Sequence, residues 1–329
     1  MMIRYPTAGL LTLALATAAA YGAQPYVQRD EVHAFIAEMV EEHGFEKRKL
    51  QALFAKARPN RVVIKAIAPA ADPGIRSWRE YRSRFVEPAR IGRGLAFWAR
   101  HADALNRAEA EYGVPAEIIV AIIGVETIYG RHRGQFQAFN ALTNLAFDYP
   151  PRAELFRREL EALLLLARED RRDPWSYRSS YAGAIGLPQF LPSSIRSFAV
   201  DFDGDRRIDL TASADDAIGS VANFLSRHGW RAADPIACPA RVTGDAAVLI
   251  AEGIQPVRLP AEMADFGVVA EDALAQPAAL IDLVTPMAET EYRLGYNNFF
   301  VLTRYNRSSF YAAAVADLAQ ALRTARDRQ

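Results

Sequence analysis

The sequence predicts an α+β fold that is mainly α. Apolar residues recur at helical spacing through most of the chain. Residues 231–300 instead carry short apolar runs cut by Gly and Pro, which reads as a small strand-containing unit. After residue 308 the helical pattern returns, so that unit is expected to be an insertion in a helical protein. A hydrophobic content of 51% and a charged content of 24% over 329 residues suit a sizeable core divided into two or three structural units.

From the N-terminus, Arg4 precedes an apolar run over residues 10–20, and small residues follow. That is the layout of a secretory leader, with cleavage expected between residues 18 and 23; the alternative is a buried N-terminal helix. The run is too short to span a bilayer comfortably. Export in soluble form to the periplasm is the expectation. Cys238 is the sole cysteine, so no internal disulfide can form and no cysteine near the leader can take a lipid anchor. It sits among Pro235, Ile236 and Pro239 without a metal-ligand pattern and is read as a packing residue. The formal net charge of +0 gives no field that would draw a nucleic acid.

Residues 32–44 and 47–57 have apolar residues at helical spacing, and Pro59 breaks the second run. Residues 93–112 read as one long amphipathic helix ended by Gly113. Pro115 suits the first turn of the next helix, which carries Glu126. Residues 153–169 form another strong helical pattern, residues 179–192 a Gly- and Pro-rich loop, and residues 216–229 a further helix. Within the strand unit the short runs 247–251 and 299–303 are the strand candidates, and residues 310–322 are helical again.

Three clusters can carry chemistry. In residues 120–130, VAIIGVETIYG, Glu126 stands among Ile and Val. It is either a surface carboxylate or an acid in a cleft. Its apolar neighbours and Gly130 favour the cleft, where burial would raise its pKa and keep it protonated. In residues 180–194, SYAGAIGLPQFLPSS, Gly183 and Gly186 allow close backbone approach, Gln189 can hydrogen-bond a sugar or an amide, and Phe190 offers a stacking face. A tight loop capping a helix is the alternative there. In residues 201–210, DFDGDRRIDL, Asp201, Asp203 and Asp205 alternate like positions one, three and five of a calcium loop. Arg207 takes the seventh position, which such a loop uses through its backbone carbonyl, and Asp216 is the candidate last carboxylate, with Asp215 the other choice. Arg206 replaces the usual glycine and Ala212 the usual acid, so weak binding is expected, against the alternative of a solvated acidic turn. The chain has no phosphate loop, zinc spacing or Gly-x-Ser-x-Gly elbow.

These clusters together resemble the lytic murein transglycosylases of the B type, glycoside hydrolase family 103. The motifs are GVETIYG at 124–130, SYAGAIGLPQFLPSS at 180–194, AVDFDGD at 199–205, DAIGSVANF at 216–224 and YNRSSFYAAAV at 305–315, in that order. The resemblance runs from about residue 78 to the C-terminus. It implies a lysozyme-like helical core, and cleavage of peptidoglycan between N-acetylmuramic acid and N-acetylglucosamine with a 1,6-anhydro-muramoyl end. Glu126 falls on the family's single acid/base. Ser180, Gln189, Tyr305, Asn306 and Tyr311 fall on cleft positions, with Asn306 and Ser180 orienting the acetamido group. Tyr81, in WREYRSRF at 78–85, and Phe190 match aromatics of the glycan groove. Arg152, in DYPPRAELF at 148–156, matches a basic residue near the peptide stem, although Pro151 stands where relatives often have a second Arg and Phe224 where a Tyr is common.

The acidic loop matches the family's calcium site, so Ca2+ would be a structural brace and no cofactor is needed for the chemistry. The expected partners are peptidoglycan glycan strands and other cell-wall enzymes. The expected divisions are a leader at 1–23, a helical unit at 24–110, a catalytic core at 111–230, a β-containing insertion at 231–300 and a return to the core at 301–329. Two other readings remain open on sequence: a lysozyme-like muramidase, and a non-catalytic peptidoglycan-binding scaffold.

Overall fold

The computed structural model describes residues 24–69 and 77–328, so the expected leader at 1–23 lies outside the described residues. The fold is mainly α with a small antiparallel sheet. At its centre is α7 (Ala116–Thr127), and every residue from Ile118 to Gly124 is buried. A helix that is apolar all round must be enclosed by others. Here α5 (Pro88–Arg100), α6 (Ala102–Tyr112), α11 (Ala214–Arg227) and α15 (Ser309–Arg326) enclose it. The run Ala312, Ala313, Ala314 and Val315 is fully buried and lets α15 lie close against α7.

The N-terminal helices α1 (Asp30–His43), α2 (Lys47–Lys56) and α3 (Arg61–Ile67) share this hydrophobic core. They are tied to α8 (Ala138–Asp148) by polar bonds: Arg29 Nη1 meets Asp148 at 2.5 Å, and Asn60 N donates to Asn144 Oδ1 at 2.5 Å. α9 (Ala153–Glu169) packs along α8 and has the bounds expected from its pattern. Two bonds and a short helix, α4 (Trp78–Ser83), fasten the sheet to the helices: Trp78 N donates to Val284 O at 2.8 Å and Trp78 Nε1 to Glu291 at 2.9 Å.

The sheet has the order β4–β3–β6–β5, from β3 (Ala237–Val242), β4 (Val268–Val269), β5 (Ala279–Leu283) and β6 (Glu291–Gly295). Alternation along β5 explains its place. Ala279, Ile281 and Leu283 join the large helical core, whereas Leu280 joins a second small core with Cys238, Leu294 and Tyr296. Cys238 is buried and its Sγ lies 3.3 Å from the Tyr296 hydroxyl, as a packing residue. A separate two-stranded ribbon pairs β1 (Phe136–Gln137) with β2 (Arg178–Ser179).

Four local expectations fail. Residues 93–112 are two helices, because His101 leaves helical geometry at φ −115° and ψ 28°; nothing in the residue type announces that break. Pro115 caps α7 from outside rather than opening its first turn. The runs 247–251 and 299–303 are helical, in α12 (Ala247–Ala251) and α14 (Asn297–Tyr305). In α14, Phe299, Val301, Leu302 and Thr303 are all buried, and a short segment buried on several sides has no period to separate helix from strand.

Candidate active site

Glu126 lies in the last turn of α7, half-buried. The next residue closes the helix: Thr127 Oγ1 donates to Leu187 O at 3.0 Å and accepts from Gly130 N at 3.0 Å. Ile128 and Tyr129 then take left-handed conformations, φ 51° and 56°, uncommon for β-branched or bulky residues. Strain of this kind persists only where surrounding contacts hold it. Here the contacts are Thr127 on one side and, on the other, Arg90 of α5, whose guanidinium donates to Gly124 O. Neither Arg90 nor Thr127 was singled out by the sequence: an Arg in an Arg-rich amphipathic helix carries no signal of its own.

The Tyr311 hydroxyl donates to Glu126 Oε1 at 2.7 Å. Burial raises the Glu126 pKa from 4.5 to about 7, and the Tyr311 bond opposes that rise. No second carboxyl contributes to the shift. Burial and the nearby Glu126 carboxylate hold the Tyr305 and Tyr311 hydroxyls well above their ordinary value, so both stay protonated as donors. Tyr311→Phe is therefore expected to raise the Glu126 pKa further. The alkaline fall in turnover should move to higher pH, with a maximum lowered about tenfold. A pH profile of the two proteins checks this; coincident profiles would remove Tyr311 from the proton chemistry.

Tyr305 stacks on Tyr311 with ring centroids 6.2 Å apart and planes 14° apart, and its hydroxyl donates to Pro188 O at 2.5 Å. This bond joins the end of α14 to the loop of residues 180–190. In that loop Ser180 and Gln189 are half-buried. Ser180 Oγ accepts from Ala184 N at 3.2 Å, and Gln189, at φ 52°, donates to Gly186 O at 2.9 Å. Tyr81 of α4 packs against Phe85 and Phe310 and interacts electrostatically with Tyr311. Asn306 is exposed directly after α14, beside Tyr305.

Two residues expected to bind substrate are placed otherwise. Phe190 is only 3% exposed and packs against Phe224 at 5.5 Å and Tyr305 at 5.7 Å. Its ring is part of the wall behind Tyr305 and offers no face for stacking. Arg152 lies in the turn between α8 and α9, with its guanidinium over the Phe156 ring at 5.4 Å, and no contact links it to the Glu126 cluster among the described residues.

In the acidic loop, one carboxylate oxygen each from Asp201, Asp203 and Asp205 lies within 4.8 Å of the others, and all three residues are exposed. A hard cation such as Ca2+ takes oxygen ligands of this kind, so these residues fit the group. Arg206 keeps the left-handed geometry that glycine usually supplies at the sixth position, φ 72°. The Arg207 amide donates to Asp205 Oδ1 at 2.8 Å. Asp216, expected as the last ligand, is not one of the cluster. It is 1% exposed, its Oδ1 accepts from Phe202 N at 2.8 Å and Asp203 N at 3.3 Å, and its Oδ2 accepts from Asp209 N at 2.7 Å. Both oxygens are spent on amides, which makes Asp216 a brace that shapes the loop. Asp215 instead faces His101 at 3.5 Å.

Residues 27–320 match the family model described as the Transglycosylase SLT domain. The chain is 40% identical over 312 residues to the membrane-bound lytic murein transglycosylase B of Escherichia coli K12, spanning 92% of this chain and 85% of that protein. The soluble lytic transglycosylase SltB1 of Pseudomonas aeruginosa matches with a TM-score of 0.84 at 45% identity, covering 90% of this chain and 99% of that one. The Escherichia coli lytic transglycosylase Slt35 in complex with calcium matches with a TM-score of 0.80 at 39% identity, covering 94% and 96% of the two chains. Fold and site thus define an enzyme of the transglycosylase class, built on a lysozyme-like helical core. The chain belongs to the family of B-type lytic murein transglycosylases. The match begins at residue 27, so α1–α3 belong to it as well, upstream of the motifs that start at Trp78. No helix among the described residues is long and apolar enough to cross a membrane.

Proposed function

We propose that the protein cleaves the glycan strands of peptidoglycan between N-acetylmuramic acid and N-acetylglucosamine, leaving 1,6-anhydro-muramoyl ends, with Glu126 as its single acid/base. The observation that carries this reading is a carboxyl with its pKa raised to about 7 by burial and bonded to Tyr311, with no second carboxyl shifting it. A neutral acid at the pH of use can protonate a leaving oxygen. Glycosidases that work with one carboxyl let the substrate's acetamido group take the place of the other.

In the first step the Glu126 proton goes to the glycosidic oxygen and the bond from that oxygen to the anomeric carbon breaks. The acetamido oxygen of the muramoyl residue closes on the anomeric carbon, giving an oxazolinium. In the second step the Glu126 carboxylate takes the proton of the sugar's own 6-hydroxyl. That oxygen attacks the anomeric carbon, the oxazolinium opens, and Glu126 is protonated again. A hydroxyl held on the same ring outcompetes water through its large effective concentration. Asn306 and Ser180 are the polar groups assigned to the acetamido group, and Tyr81 and Tyr305 to the walls of the glycan groove. The site of action is the periplasm, which the murein substrate and the leader expected at residues 1–23 support.

The test is mass spectrometry of the soluble fragments released from purified murein. Anhydro ends, lighter by one water than hydrolysed ends, are expected. Reducing ends would make the protein a muramidase, and no fragments at all would make it a binding scaffold.

Calcium at Asp201, Asp203 and Asp205 would brace the loop and take no part in the chemistry. At a calcium concentration about 100-fold above its dissociation constant, the gain in stability should be ~2.7 kcal/mol. Thermal unfolding with calcium and with chelator checks this. An unchanged midpoint in wild type would leave the loop as a solvated acidic turn.

A further inference from the structure

Tyr81 is carried by α4, a helix of six residues, too short to hold its place unaided. Two neighbours hold it. The first is one face of α15. Its Phe310 packs edge-on against Trp78 at 5.4 Å and against Tyr81 at 5.6 Å, and its Asp317 Oδ2 accepts from Arg82 Nε at 2.6 Å. Phe310 and Asp317 lie about two turns apart on that face. Tyr311 follows Phe310 directly.

The second neighbour is the sheet. The first amides of a helix have no acceptor within it. For α4 the sheet supplies them: Trp78 N donates to Val284 O at 2.8 Å and Arg79 N to the Thr285 hydroxyl at 3.2 Å, directly after β5. Glu291, at the start of β6, accepts from Trp78 Nε1 at 2.9 Å. Arg293 of β6 ties these pieces together. Its Nη1 and Nη2 donate to the two oxygens of Asp317 at 2.6 and 3.1 Å, its Nε donates to Glu291 at 2.8 Å, and its guanidinium lies 5.6 Å from the centre of the Trp78 ring. The side chains of Arg293 and Asp317 are only 15% and 12% exposed, so water screens the pair little. A two-pronged arginine–carboxylate pair fixes direction as well as distance. Asp317 thus joins α4, β6 and α15 at one point.

We propose that Arg293 and Asp317 are positioning residues, through which the β insertion holds Tyr81 at the wall of the glycan groove and sets how tightly a strand is gripped. The proposal rests on the peptidoglycan reading above, with Tyr81 as groove wall, and deepens it. Arg293 and Asp317 take no part in the proton chemistry: their bonds run to Arg82, Glu291 and each other, and none runs to Glu126, Tyr305 or Tyr311 among the described residues. A loosened wall weakens ground-state and transition-state binding alike. It therefore raises KM and spares kcat.

The test measures KM and kcat on soluble glycan strands for wild type, Arg293→Met, Arg293→Lys, Arg82→Ala, Tyr81→Leu, and Arg293→Met combined with Tyr81→Leu. Arg293→Met should raise KM about tenfold and leave kcat within about twofold. Arg293→Lys, which keeps the charge without the fork, should raise KM by less. Arg82→Ala cuts only the bond from α4 to Asp317 and leaves the Arg293 pair in place. It should raise KM about threefold, and it carries the test if Arg293→Met does not fold. The combined variant should have the KM of Tyr81→Leu alone, because Arg293 acts through Tyr81. Multiplying KM effects in the combined variant would overturn the proposal. So would an unchanged KM in Arg293→Met and Arg82→Ala, with the loss seen only in kcat or the melting midpoint. Tyr81→Leu with the KM of wild type would take Tyr81 out of the groove wall and the inference with it. Wild type that released no fragments would overturn the peptidoglycan reading itself.

Discussion

Glu126→Gln is expected to lose about a thousandfold in turnover on murein while keeping its fold. Gln is isosteric, and its side-chain oxygen can still accept the 2.7 Å bond from Tyr311. What it lacks is the proton to give and the base to take one back, and both steps of the proposed cycle use that one group. The same substitution should make the protein more stable at neutral and alkaline pH. The folded-state pKa of Glu126 is about 7 against an ordinary 4.5, so the folded chain holds this proton more tightly than the unfolded chain. Wild-type stability therefore falls as pH rises from 4.5 through about 7, and Glu126→Gln escapes that fall. The gap should be absent below pH 4.5 and reach on the order of 2 kcal/mol above pH 7, allowing for the partial solvent access of the half-buried side chain. Thermal melts of both proteins across this range read it directly. A variant that lost stability uniformly at every pH would show Glu126 to be a structural residue.

Asp216→Ala should be the largest stability loss at any single polar side chain of the acidic loop. Its carboxylate, buried at the start of α11, accepts from three backbone amides on both sides of the loop. Burial pushes its pKa up and those three bonds oppose the shift. Deleting the side chain leaves the amides of Phe202, Asp203 and Asp209 without their acceptor, at a cost of about 4 kcal/mol in total. In a chain of this length that lowers the melting midpoint by about 8 °C. Asp216→Asn should lose about half as much, since one oxygen survives and the new amide meets a donor with a donor. The loss should be the same in calcium and in chelator. Asp201→Ala, in contrast, should abolish the response to calcium, because Asp201 belongs to the exposed cluster. An Asp216→Ala effect that vanished in chelator would return Asp216 to the ligand set.

Much of this was legible in the residues. The fully apolar run around Glu126 made that carboxyl conspicuous, and its burial beneath Tyr311 is what such a run enforces. The strong 3.6 period of residues 153–169 fixed α9 to the residue. Where the pattern weakened, local reading failed. Residues 247–251 and 299–303 are too short for a period to separate helix from strand.

The site errors have the same origin. Phe190 looked like an exposed stacking face because loops usually lie at the surface, but this loop is folded back on itself and buries the ring against Phe224. Asp216 looked like a ligand because a carboxylate near an acidic loop invites that reading. Only the amide directions show that both of its oxygens are taken. Arg90, which bonds the last turn of α7, is far from Glu126 in sequence, and no local pattern marks it.

The most direct test of Glu126 as the acid is its protonation state, read as the infrared difference spectrum between wild type and Glu126→Gln across pH. A protonated-carboxyl band is expected in wild type alone, persisting well above pH 4.5 and fading with a midpoint at about pH 7. A band that had already gone by pH 5 would mean an ionised Glu126 at the pH of use, with no proton to give the glycosidic oxygen.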